Sequence, residues 1–577
     1  LIKKLRAEYA EIGYKRVFIY GIPTLPEASL RALILLAKHC EVHFFQIVPT
    51  NNVNWTNSKI EFKSHPLLQQ LSKEGRELSQ LIQEICESEE LEVEKHDLFE
   101  DPKKVTSQLE RLKKSFYEVD IGTESELVED ESIIFSSNYS AAREIETLRD
   151  YLLKSFEDEK LQPSDVLIMS ADIDKYAPFI NYYFNEAIQG KSLPFSLADM
   201  KSSTQDEQIQ AFFALMELLN SPLKRTDFIE FISHESIRSH FGLDGLALNR
   251  ITTWIEKSHV RFGWEKELEE FAWADVSFQS LREQWFNSIF YLPDSDQLQN
   301  GKLVSFSISN GDELETWSKV EQLFEALYSL FSELKEIDDT NNSKSKTIKE
   351  WLSWLSEVYE KVLATEKDSS IPKKILKLQE IANYGNPTSR LSFKLFSRFV
   401  KQQFDTTSAG SGFLKGKITC SAMVPLRSLP FKIIALIGMN DGQFPGKKPR
   451  VSFDWLANEP KEGDRDRKTD DYYLLLESII SAKEKLYISY LGRNSRDDSK
   501  VPMSPPVAAL LETIEHCCSF KPTIFEHPLY SHNQGYFNGE GVLFKSQNET
   551  ALNVAESLVK LNKESEKRYS QIAEIFE

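Results

Sequence analysis

The sequence predicts an α/β fold in which a parallel sheet is interrupted by a long helical insertion. Three observations carry that reading. Short β-rich runs recur towards both ends of the chain, each close to an amphipathic helix. The run Ile433 to Ile437 is apolar without alternation, as a strand covered on both faces must be. From Ile209 to about Phe404 the apolar period changes to three and four, which is helical almost throughout.

Taken in order, Val17 to Gly21 is a β-rich run closed by a glycine and followed by Pro23 and Pro26. A helix pattern over 27–39 and a second strand over 42–47 make a βαβ-type half-unit, which favours parallel pairing. Residues 66–116 read as mostly charged helix, and 118–131 as an acidic linker. A strand over 133–135 leads into a helix over 140–156, with Ser140 placed to cap it. Residues 165–169 read as a buried strand. In the insertion, Trp317, Val320, Phe324, Leu327, Phe331 and Leu334 share one helix face. Trp351, Trp354, Leu355, Val358 and Val362 share another, and the polar stretch 338–346 reads as an exposed loop. The α/β pattern returns with strands over 418–423, 432–438 and 486–490 and a helix over 471–481. There is no internal repeat and no low-complexity tract.

Composition narrows the function. The chain has 577 residues, 41% hydrophobic and 27% charged, which is ordinary globular usage and excludes wholesale disorder. The net charge is −20, so the chain is not a general polycation, and any nucleic-acid binding requires locally gathered basic groups. Five cysteines cannot build a disulfide framework, which points to a reducing compartment. Leu1 to Arg6 lacks the apolar segment of a signal peptide, and no apolar run approaches the ~18 residues of a membrane span. The expectation is therefore a cytoplasmic protein with no membrane partner. The chain starts without Met inside one apparent helix and ends in another over 555–576, so it is expected to be a piece of something longer.

Several chemistries lack their motif. There is no G-x-x-x-x-G-K-[ST] loop, and Leu414 to Lys417 is only a basic turn. Cys517 and Cys518 are adjacent, which suits neither zinc nor redox chemistry, and His516 beside them reads as a helix-end residue. No H-E-x-x-H or G-x-S-x-G occurs. The string Gly463-Asp464-Arg465-Asp466-Arg467, with Asp470 and Asp471, has carboxylates that could hold Mg²⁺. Its flanks are loop-like and its arginines offset the acids. It reads better as a salt-linked loop that brings Arg groups near phosphate, and no metal ligand is assigned. Residues 418–445 read as strand, basic turn, buried strand and a Gly-bounded loop. Ligands of α/β sheets bind at the carboxyl ends of strands, where Arg427, Asn440 and Asp441 stand. Alternatively Gly438, Gly442 and Pro445 serve turn geometry alone.

Four segments resemble the RecC family, the gamma subunits of the RecBCD helicase–nuclease (exodeoxyribonuclease V). They are VFIYGIPTLPEASLRALILLAKHCEVHFF, SADIDKYAPFINYYF, MVPLRSLPFKIIALIGMNDGQFP and GDRDRKTDDYYLLLESIISAKEKLYISYLGR. The resemblance spreads over most of the chain, with the helical stretch less diagnostic. It implies P-loop helicase-like (superfamily 1) parallel-sheet domains that are catalytically degenerate. Active relatives carry T-x-H-x-x-K-G-L-E-F before a buried strand. Here Val424 stands at the His, Arg427 at the Lys, Ser428 at the Gly and Pro430 at the Glu. Where active relatives carry T-R-A, this chain reads Ile480-Ser481-Ala482, so the arginine that stabilises charge on a transferred phosphoryl group is missing. The resemblance thus implies no catalytic residue and no cofactor held by this chain, in a complex that uses ATP and Mg²⁺.

The implied organisation is the rest of a first helicase-like domain over 1–130 and the first half of a second over 131–205. A helical insertion follows over 206–405, then the second half over 406–520 and a connector over 521–577. The implied function is a non-catalytic, DNA-guiding subunit in double-strand-break repair by homologous recombination. It would split duplex ends and lead the 3′ strand onward, with RecB-like and RecD-like partners and both double- and single-stranded DNA as ligands. Scanning for the signal Chi is also implied. However, where family members show three acids then Arg, this chain has Thr469-Asp470-Asp471-Tyr472, which bears on recognition of that signal. The candidate DNA-binding residues are Arg427, Lys432, Asn440, Asp441, Arg465, Arg467, Lys468, Asp470, Asp471, Tyr472 and Arg493. Tyr472 is either a base-stacking ring or a core aromatic. Two other readings stand beside this one. One is an AddB-like subunit whose catalytic residues lie elsewhere. The other is a scaffold whose aromatic helices (Trp254, Trp264, Trp273, Trp285) meet partners.

Overall fold

The computed structural model describes residues 14–58, 60–96, 105–122, 130–157, 161–187, 192–198, 206–264, 277–290, 311–338, 345–364, 369–384, 388–404, 416–423, 428–446, 464, 466–519, 521–538 and 548–561. Arg427, Arg465, Gly463, Trp273, half of the acidic linker and the end of the C-terminal helix pattern lie outside the described residues. The chain divides into two compact units, Leu1–Asp199 with Ala409–Glu577, and Met200–Ser408.

In the α/β unit, β1 (Arg16–Tyr20) and β2 (Glu41–Phe45) pair in parallel, with Phe18 opposite His43 and Tyr20 opposite Phe45. The helix Glu27–Leu35 connects them, as the β-rich runs and intervening apolar period require. Its Leu30 and Ile34 pack with Leu78, Leu81 and Ile85 of the helix Lys73–Ser88. Side chains alternate across a strand, so Phe18, Tyr20 and Phe45 fall together on the opposite face, where all three are exposed. These two strands form a sheet of their own and do not extend the main one.

Among the described residues the main sheet has seven strands, β3 (Ile133–Asn138), β4 (Val166–Ser170), β5 (Phe195–Leu197), β8 (Ile418–Ala422), β9 (Phe431–Ile437), β10 (Ala482–Leu491) and β11 (Ile524–Glu526). Their spatial order is β11-β3-β10-β9-β4-β8-β5, and every pairing is parallel. A parallel sheet must be covered on both faces. One face, with Ile134, Ile168, Ile433, Ala435 and Tyr487, packs on the helices Ala141–Ser155 and Ile173–Asn185. The other, with Phe135, Leu167, Ile434, Leu436 and Ile488, packs on Pro66–Leu71, Gln108–Glu118, Arg467–Ser481 and Pro505–Cys518. Ser140 caps its helix as expected, its Oγ accepting from the Arg143 amide at 3.2 Å.

Residues 200–408 form the second unit, and their described residues are almost entirely helical. Two-residue strands β6 (Lys346–Thr347) and β7 (Arg390–Leu391) pair antiparallel and brace the helix Ile348–Val362. The aromatic stripe read from the sequence is core. Trp317 and Trp285 stack at 4.2 Å, and fully buried Trp351 donates its indole N–H to the Leu391 carbonyl at 2.8 Å. Among the described residues no helix is long and apolar enough to cross a membrane.

Candidate nucleic-acid interface

At the carboxyl end of the main sheet three segments meet. They are the loop 438–446 after β9, the first turn of the helix Arg467–Ser481, and the segment 491–494 after β10. Gly438 has φ +71°, a left-handed backbone that glycine adopts without cost. A Cβ there would also fall 2.7 Å from the Tyr176 hydroxyl, so the position excludes any side chain. The Met439 amide donates to the Ser489 carbonyl (2.9 Å) and the Met439 carbonyl accepts from the Ser504 amide (3.0 Å). The loop therefore leaves the sheet under fixed geometry.

The residues singled out in the sequence take different places around this loop. Asn440 is buried. Its Oδ1 accepts from the Leu491 amide at 2.6 Å and its Nδ2 donates to Gln443 at 2.8 Å, so it ties the loop to β10. These two bonds give Asn440 a structural role at the base of the loop. Asp441 is exposed at the loop tip, where a carboxylate can accept from a base amine but repels phosphate. Asp471 accepts the Gly446 amide at 2.6 Å and thereby joins the loop's far end to the helix.

Arg467, Lys468 and Thr469 belong to the helix and not to a loop, which corrects the loop-like reading of this stretch. The polar string Arg467 to Asp470 shows no apolar period, so the helix is legible only from Asp471 onward. Arg467 and Lys468 are exposed. Arg467 lies so close to the loop that a Cβ at Gly446 would stand 2.6 Å from its Nε. The Lys468 ammonium stands 5.6 Å from the Tyr472 ring centroid. Tyr472 is 5% exposed and packs in the core, so its ring has no free face for a base. Asp470 is 2% exposed and likewise cannot reach a ligand. Tyr472 thus takes the core place that was one of its two readings, and both residues occupy the inward side of a helix whose outward side carries Arg467 and Lys468.

Arg493 pairs with Glu526 (3.0 Å) and Asp498 (3.1 Å), which hold its guanidinium in the charged form. Lys432 pairs with Asp165 at 2.9 Å, at the amino ends of β9 and β4 and hence at the opposite end of the sheet from the loop. It is thereby set apart from the other candidates. Arg427 and Arg465 lie outside the described residues.

Two buried carboxylates organise the region, and neither belongs to a motif visible in the sequence. Glu144 is fully buried on the helix Ala141–Ser155 and accepts from Gly438, Ser489 and Tyr176. Burial raises its pKa, opposed by those three hydrogen bonds. An acid beside Ala141, Ile145, Leu148 and Leu152 on an apolar stripe was the available signal. Glu74 accepts from Thr469 Oγ1 at 2.5 Å and links the helix Lys73–Ser88 to the first turn of Arg467–Ser481. Burial pushes its pKa up to about 7, with Asp470 adding to the shift.

A separate cavity of about 1620 Å³ runs beside β2, lined by Tyr20, Phe45, Gln46, Ser428 and Glu477 among others. None of the candidate residues described above lines it. Ser428, at the degenerate motif, has φ +68° and donates to buried Glu477 at 2.9 Å.

Two stretches of the chain match sequence models of one family. Residues 2–118 match "RecC, N-terminal domain", and 205–408 match "RecBCD enzyme subunit RecC fourth domain". The second match coincides with the helical unit. The chain is 27% identical over 560 residues to the RecBCD enzyme subunit RecC of Escherichia coli K12, covering 86% of this chain and 49% of that protein. It is 25% identical to the subunit of the same name from Haemophilus influenzae (89% and 49%) and 23% to that of Mycolicibacterium smegmatis (87% and 48%). The chain thus spans about half the length of the curated relatives it matches.

Proposed function

From the matches of residues 2–118 and 205–408 to RecC domain models and the likeness to RecC subunits over most of the chain, we propose that it is a DNA-guiding part of a RecBCD-type enzyme. In this reading it works beside RecB-like and RecD-like subunits on the ends of double-stranded DNA. It separates the strands and conducts the 3′-ended one, and it holds neither ATP nor Mg²⁺ itself while the complex uses both. The main sheet is proposed to be a degenerate superfamily 1 helicase domain. The observation that carries this is the pairing of a seven-stranded parallel sheet with a motif reading Ser428-Leu429-Pro430, in which the expected acid is a proline.

The proposed contact surface is the carboxyl end of the sheet. Arg467 and Lys468 supply exposed positive charge for phosphate, and the tip of the 438–446 loop faces the bases. Asn440, Asp470, Asp471 and Tyr472 shape this surface from beneath. The test is fluorescence anisotropy with a forked DNA carrying a 3′ single-stranded tail, without ATP, over several salt concentrations. Binding that weakens steeply with salt and prefers the fork to blunt duplex is expected. No binding at low salt would sink the reading for these residues and leave the scaffold alternative.

A further inference from the structure

Glu144 sits where no solvent reaches, yet three hydrogen-bond donors converge on it from three elements. The Gly438 amide at the start of the loop donates to Oε1 at 2.7 Å. Ser489 of β10 donates its hydroxyl to the same oxygen. Tyr176 of the helix Ile173–Asn185 donates to Oε2 at 2.8 Å. Such a group is costly to bury and is tolerated only when its lone pairs are used. Here they are used at one place, the point where β9 ends and the 438–446 loop begins. Gly438 itself stands in a left-handed backbone, and a Cβ there would meet the Tyr176 hydroxyl.

We infer that Glu144 is a positioning residue for the 438–446 loop, acting through its two acceptor oxygens and not through net charge. The functional half of this inference rests on the proposal above that the loop faces DNA. Oε1 orients the loop against β10, and Oε2 anchors it to the helix Ile173–Asn185. The acceptor geometry distinguishes substitutions sharply. In Glu144→Gln the remaining oxygen keeps Gly438 and Ser489, and the new NH₂ donates to the Tyr176 hydroxyl, which can accept. In Glu144→Ala both acceptors are lost, and the Gly438 N–H is buried without a partner.

The test uses the full chain. Hydrogen exchange is followed at the 438–444 amides and, as an internal reference, at the β4 amides of Val166–Ser170. Glu144→Ala should speed exchange in the loop by about tenfold or more relative to β4. Glu144→Gln should stay within about twofold of the parent. Should Glu144→Ala fail to fold, Tyr176→Phe and Ser489→Ala each remove one donor and are expected to give a smaller loosening of the same amides. Equal acceleration in loop and β4 would mean general destabilisation and overturn the inference. So would a Glu144→Gln protein that loosens the loop as the deletion does.

Forked-DNA affinity is measured in parallel. A loop loosened by tenfold with affinity unchanged, in a parent that binds DNA, would remove the positioning role at the interface. If the parent binds no DNA, that failure belongs to the DNA reading, and loop exchange alone decides the role of Glu144.

Discussion

The α/β unit and the helical unit bury different chemistry. Among the described residues of the helical unit, the buried polar side chains are Ser, Thr and Gln, and no Asp, Glu, Lys, Arg or His is buried. Its interior is aromatic, with Trp254, Trp264, Trp285, Trp317, Trp351 and Trp354 in one core. The α/β unit buries Glu74, Arg76, Arg111, Arg143, Glu144, Arg149, Asp470 and Glu477, together with His65 and His527. Removing charge from water is expensive, and an apolar interior of the same volume is commonly as stable. The contrast therefore separates a unit built for packing from one in which particular peptide groups and helix ends must be held at particular points.

The sharpest way to break this comparison is acid. Burial lowers the pKa of His65 to about 4, while its imidazole accepts the Leu68 amide at a helix start. Burial and the nearby Arg143 lower that of His527 to about 3. Both bind a proton more readily when unfolded, at about pH 6.5. Their stabilisation is complete above that value and is lost as pH falls towards 4 and then 3, by roughly 3 kcal/mol for His65 and somewhat more for His527. The described residues of the helical unit bury no such group. Seven of the nine tryptophans lie within residues 200–408, so intrinsic fluorescence reports chiefly on that unit. Hydrogen exchange in β3 and β4 should accelerate at a higher pH than the fluorescence changes. Coincident transitions would erase the distinction. His65→Asn, which keeps an acceptor at the helix start, should flatten the acid limb.

Next in size is Trp351→Ala, which empties a fully buried site and removes the hydrogen bond to Leu391. A loss of about 3–5 kcal/mol is expected, read as a lower urea midpoint in fluorescence. A loss below about 1 kcal/mol would mean the helical core is plastic.

Glu74→Gln acts in the opposite direction. The carboxyl of Glu74 is raised to about 7 by burial, so ionising it costs stability as pH rises from about 4.5 through 7, after which the cost is constant. The amide still accepts from Thr469. The variant should match the parent at pH 5 and exceed it at pH 8 by up to roughly 3 kcal/mol. Parity at both values would show that the pair with Thr469 is solvated.

The smallest expected effect is on binding. Arg467→Ala with Lys468→Ala should leave stability unchanged. It should make the salt dependence of forked-DNA affinity shallower by about 1.4 to 1.8 in the log–log slope. An unchanged slope would remove both from the interface.

What the sequence revealed follows the same divide. Strands made of apolar residues, such as Ile433 to Ile437, announced themselves, and so did the three-and-four spacing of the helical unit. β3 extends beyond its apolar start because its last three residues, Ser136, Ser137 and Asn138, are polar yet buried. The separate sheet of β1 and β2 was not legible, because pairing between distant strands leaves no local trace. At the interface, proximity in sequence to a glycine-bounded loop located the right region. It did not tell inward from outward, which is why Tyr472 and Asp470 were grouped with Arg467. Glu144 escaped because its role depends on Gly438, 294 residues away.

The strand order of the main sheet also sets a timetable. β3, β4 and β5 precede the helical unit in the chain, and none of them pairs with another of the three. Every ladder they make is with β8, β9, β10 or β11, all of which follow it. On a ribosome adding roughly 5–20 residues per second, β4 waits on the order of 10–50 s for its first neighbour to be made. During that interval the helical unit can close its own core, while the apolar faces of β3 and β4 stay unclaimed. A nascent chain at that stage thus holds a helical unit able to close and a sheet still lacking its central strands.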